Sequence, residues 1–68
     1  MKSFHLVRHE DVTGLSGTGV VAEGVQWSNG QVTLCWFGEH SSVAVWPSLE
    51  DAMAIHGHNG ATEARFLE

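Results

Sequence analysis

The chain is poor in the groups that tie small proteins to the commonest partners. It has three basic side chains (Lys2, Arg8 and Arg65), one cysteine, one proline and no tyrosine in 68 residues. Affinity for nucleic acid comes largely from clustered Lys and Arg that neutralise phosphates. Here three scattered cations face eight acids (Glu10, Asp11, Glu23, Glu39, Glu50, Asp51, Glu63 and Glu68), for a charge of −5 with the histidines neutral. That balance argues against nucleic acid and against an anionic membrane surface, and the carboxylates are too dispersed to imitate DNA. Cys35 is alone, so no internal disulfide forms. No stretch approaches the ~20 apolar residues of a membrane span. Nothing resembles a signal peptide, because His5, Arg8 and His9 interrupt the start before an apolar run develops. The expected location is the cytoplasm. A chain of this size buries only about 60% of its unfolded surface, so one thin-cored domain over residues 1–68 is expected.

What is present is a series of strand signals. Ser3 to Arg8 alternates Phe4 and Leu6 with His5 and Val7. His9 to Gly19, rich in Gly, Ser and Thr, reads as a loop near the length at which irregular segments are functional or disordered. Val20 to Ser28 and Gln31 to Phe37 flank Asn29-Gly30, the strongest short hairpin signal. A two-residue turn there pairs Trp27 with Val32, Val25 with Leu34 and Glu23 with Trp36. Ala22, Gly24, Gln26, Thr33, Cys35 and Phe37 then fall on the opposite face. A loop at Gly38-Glu39-His40-Ser41 adds a third strand, pairing Trp36 with Val43 and Leu34 with Val45, and places Ala44 and Trp46 on that second face. Pro47 ends the strand.

Ser48 is an N-cap candidate, with Glu50 and Asp51 at the positive end of the following helix. Leu49, Ala52, Met53 and His56 recur at helical spacing over about 49–56, and Gly57 is the expected stop. Thr62 to Leu67 forms a last strand, Ala64 and Phe66 on one side. The fold class is therefore α+β and mainly β, in the order β-βββ-α-β. The expected architecture is a five-stranded, strongly bent sheet or a small, partly open barrel with one short helix; a flatter sheet with the helix across one face is the competing arrangement.

Few residues promise chemistry. His56-Gly57-His58 invites a metal reading, but structural zinc sites want four ligands and often paired cysteines; a helix-end histidine and a turn histidine account for the pair. Cys35 lies mid-strand, where a packed thiol is expected, and Ser41 and Ser42 have no nucleophile-elbow context. No nucleophile–base pair, metal set or cofactor motif is discernible, and an enzyme is not expected. Two features remain. The first is a surplus of aromatics, which leaves Phe37, Trp46, Cys35 and Ala44 as a candidate interface on the second sheet face, for a protein partner or a second copy. The second is the glycine loop, whose backbone N–H groups suit an anion. Arg8, Thr13, Gly14, Ser16, Gly17, Thr18 and Gly19 are its candidate ligand residues, for a small nucleotide-like anion, although the P-loop lysine is missing.

The run Gly17-Thr18-Gly19-Val20-Val21-Ala22-Glu23-Gly24-Val25, the pair Trp36-Phe37, and the stretch from Trp46-Pro47-Ser48 to Gly60-Ala61-Thr62 resemble short hypothetical proteins of actinobacteria and their phages. The resemblance covers nearly the whole chain and carries over no catalytic or binding residue. It implies a small accessory protein, phage- or prophage-borne, that acts by binding a host macromolecule or by sequestering a small molecule.

Overall fold

The computed structural model describes residues 1–9, 18–57 and 60–67. Five strands, β1 (Lys2–Arg8), β2 (Gly19–Gln26), β3 (Val32–Trp36), β4 (Val43–Trp46) and β5 (Thr62–Phe66), and one helix, α1 (Leu49–His56), follow the expected order. The strands make one antiparallel sheet in the order β4-β3-β2-β1-β5, which stays open and does not close into a barrel. The helix lies on one face.

Both hairpins pair one residue away from the expected register. At the first, Trp27 N–H donates to the Gln31 carbonyl at 2.8 Å and Gly30 N–H donates to the Trp27 carbonyl at 2.9 Å. Gly30 has φ +93°, the left-handed residue of a three-residue loop with a glycine bulge rather than of a two-residue turn. The Asn29 side chain braces the loop by accepting from Gln31 N–H at 3.0 Å. Ala22 therefore pairs with Trp36, Gly24 with Leu34 and Gln26 with Val32. At the second hairpin Leu34 pairs with Ala44 and Val32 with Trp46.

A one-residue slip exchanges the faces of a strand. β3 keeps Val32, Leu34 and Trp36 inward as expected, while β2 and β4 are turned over relative to the sequence reading. The physical reason is visible in Glu23. The expected register set its carboxylate opposite Trp36 on the core face; the observed one puts Ala22 there, fully buried, and turns Glu23 out to solvent. A register shift between Leu6 and Val7 adds a bulge at Val21, which lets Val21 and Ala22 both be buried in succession.

The core consists of Phe4, Leu6, Val21, Ala22, Val32, Leu34 and Ala52, with Trp36, Trp46, Leu49, Met53 and Ala64 packed against it. Gly24 faces Phe4 across the β1–β2 pair, and the ring lies flat against the space a side chain would fill. The Phe4 ring also meets Phe66 at 5.3 Å. Ser48 caps α1 as expected, its hydroxyl accepting from Asp51 N–H at 3.1 Å. Gly57 closes the helix differently from the expected left-handed stop. It stays right-handed at φ −75°, and its lack of a Cβ is needed because that atom would lie 2.5 Å from the Met53 carbonyl oxygen. The helix seats Ala52 in the core and sets His56 edge-on to Trp36 and Trp46, with ring centroids 4.8 and 5.4 Å away.

Candidate functional site

With the helix on the Phe4–Leu34–Trp46 face, no helix or strand among the described residues covers the opposite, bare face. The register lays residues across it in rows. Val43, Cys35, Glu23, His5 and Arg65 form one row from β4 to β5. Val45, Thr33, Val25 and Ser3 form the next. The β4 side of this face is apolar: Val43 is 66% exposed and Val45 64%. Trp27 joins them, its indole N–H donating to the Thr33 hydroxyl at 3.3 Å. A shallow cavity of about 330 Å³ runs over the middle of the face, lined in part by His5, Glu23, Val25, Cys35, Val43 and Leu67.

The β5 side is charged. Glu63 accepts from the Arg65 guanidinium and lies 3.0 Å from His9 Nε2. The Arg65 hydrogen bond, followed by that from His9, holds the Glu63 carboxyl below its ordinary value. The Cys35 thiol makes a long contact with the Ser41 hydroxyl, 3.8 Å away. Among the described residues no group of three His, Cys, Asp or Glu side chains is placed to hold a metal ion, and no helix is long and apolar enough to cross a membrane.

The expected interface residues do not share a face. Ala44 and Trp46 turn toward the helix, where Trp46 packs on the core. Cys35 lies on the bare face, and Phe37, 51% exposed, sits just beyond the end of β3. Sequence reasoning missed two exposed residues of this face, Val43 and Val45. Their signal was the inward preference of Trp46 over Val45 on so short a strand, which the turn residues alone did not reveal.

Of the expected ligand residues, Thr13, Gly14, Ser16 and Gly17 lie outside the described part of the chain. Arg8 and Gly19 are paired at one end of the sheet. There Arg8 is buried on the core face, with Nε donating to the Thr62 hydroxyl at 3.1 Å. Thr18 precedes Gly19 and helps line a cavity with Arg8.

A family model described as Acb5 phage protein matches residues 1–68. The chain belongs to that family. The expected phage connection is thus met over the full length of the sequence. No curated protein and no solved structure matches the phage protein.

Proposed function

We propose that this phage protein is a non-enzymatic accessory protein of actinobacterial phages, acting in the cytoplasm of the host as a self-associating binding unit. The observation that carries the reading is the uncovered sheet face, apolar along β4, in a chain whose helix is fully committed to the other side. A sheet with an apolar face is normally buried against a second layer, and among the described residues no helix or strand forms such a layer on this side. A second copy of the chain supplies an apolar surface of the same kind. Two copies related by a two-fold axis over β4 set the Val43 and Val45 side chains of one against those of the other, the self-complementary pattern of an isologous contact.

The test is sedimentation velocity across a wide concentration range. Wild-type protein should show a concentration-dependent dimer, and Val45→Glu should remain monomeric. Ile55→Glu, at an exposed helix position away from this face, should dimerise like wild type. A 7.4 kDa monomer at every concentration, or equal disruption by Ile55→Glu, would remove the proposal.

A further inference from the structure

The cavity at the Arg8 end of the sheet lies apart from the bare face and has a different character. Arg8, Thr18, Val20, Val21, Trp36, Phe37 and Gly38 line a half-open space of about 470 Å³, within the ~300–1,000 Å³ usual for small-molecule sites. We propose that it binds a small ring-bearing phosphate with the size and chemistry of a nucleoside monophosphate.

The anionic part of the ligand follows from Arg8. Its residue is only 6% exposed, and its guanidinium has five N–H donors in a planar fork. One of these, on Nε, is used by the Thr62 hydroxyl, a neutral partner. Among the described residues no carboxylate is paired with Arg8, although acids outnumber cations eight to three in this chain. A buried cation is costly to maintain without a partner of opposite charge, and an arriving phosphate supplies one in the bidentate geometry that arginine favours.

The ring follows from the walls. Trp36 and the half-exposed Phe37 offer aromatic surfaces beside the cation, on which a nucleobase stacks with little demand on its identity. Thr18 adds a hydroxyl. At Gly38 a Cβ would meet nothing within 4 Å, so the backbone borders open space on that side. Val20, 43% exposed, is a lining position whose side chain can be changed without entering the core.

Titration followed by amide chemical shifts and calorimetry tests the site, with adenosine and guanosine 5′-monophosphates as probes, and with adenosine and inorganic phosphate as separate arms. The monophosphates should bind at least tenfold more tightly than either fragment, with shifts centred on Thr18, Val20, Trp36 and Phe37. A unit charge placed about 6 Å from the phosphate, at an effective dielectric between those of surface and bulk water, changes affinity by about tenfold. Val20→Lys should therefore strengthen binding and Val20→Glu weaken it by roughly that factor. Phe37→Ala should weaken the monophosphates while leaving inorganic phosphate unchanged. Arg8→Lys should lose most of the binding; if its melting curve shows that it fails to fold, the opposite-signed Val20 pair decides. Monophosphates that bind no better than adenosine or phosphate, or Val20 variants of opposite charge with equal affinities, would overturn the assignment.

Discussion

Gly24 is the position at which a single methyl group should do most harm. A Cβ there would lie 2.4 Å from Phe4 Cζ, 2.7 Å from Cε2 and 2.9 Å from Cε1. Carbon atoms in contact prefer about 3.5–4.0 Å, so the ring must retreat by about 1 Å. It has nowhere easy to go, because Phe4 is fully buried and packs on Phe66. Overpacking of this kind costs about 1–3 kcal/mol. Alanine returns about 0.5–1 kcal/mol through the smaller entropy loss of its backbone. The net expectation for Gly24→Ala is a loss of about 1.5 kcal/mol, equivalent to a melting temperature lower by roughly 6–12 °C in a domain of this size. Thermal and urea unfolding followed by circular dichroism measure it directly. Phe4→Leu provides the control, since the smaller side chain vacates the contested volume and Gly24→Ala should then cost almost nothing. A Gly24→Ala protein as stable as wild type, or an equal loss in the Phe4→Leu background, would refute the account of why glycine occupies this strand.

Two further outcomes concern the helix and the charged edge. Ser48→Ala removes the acceptor for Asp51 N–H and should cost about 1 kcal/mol; Ser48→Asp should retain most of that stability, and an undiminished melting temperature for Ser48→Ala would show that the cap contributes nothing. Glu63 is held below its ordinary value by Arg65 and then His9, so whatever stability it adds is present above its unfolded value and is lost as pH falls through the folded one. A carboxyl titration by NMR should find the Glu63 midpoint depressed in wild type and raised in Arg65→Ala, and an unmoved midpoint in that variant would exclude Arg65 as the main cause.

Much of the fold is legible because its signals are local. Alternation in Ser3–Arg8 gives β1, Ser48 and the spacing of Leu49, Ala52 and Met53 give α1, and Asn29-Gly30 marks the hairpin. The register is less legible because it is decided by competition. Asn-Gly suits a two-residue turn, yet only Gly30 takes a positive φ, and the longer loop wins because it removes Glu23 from the core and lets Gly24 receive Phe4. That one-residue difference reverses two strands, which is why Val43 and Val45 were assigned inward and Trp46 outward. The Arg8 cavity could be anticipated only in part. Nothing local to Arg8 indicates that Trp36, 28 positions later in the same sequence, will form its wall.

The sheet order also fixes how the molecule responds to force. β1 and β5 are antiparallel neighbours, with Phe4 beside Phe66 and Leu67 N–H donating to the Ser3 carbonyl. The ends of the described chain therefore emerge side by side. Tension applied between them loads the β1–β5 bonds one after another, as in opening a zipper, instead of shearing them all at once. The outermost strand, with its Glu63 and Arg65, peels away first and uncovers the flank of β1. The sheet is thus mechanically weak when Lys2 and Leu67 are pulled apart, because the load falls on one β1–β5 bond at a time.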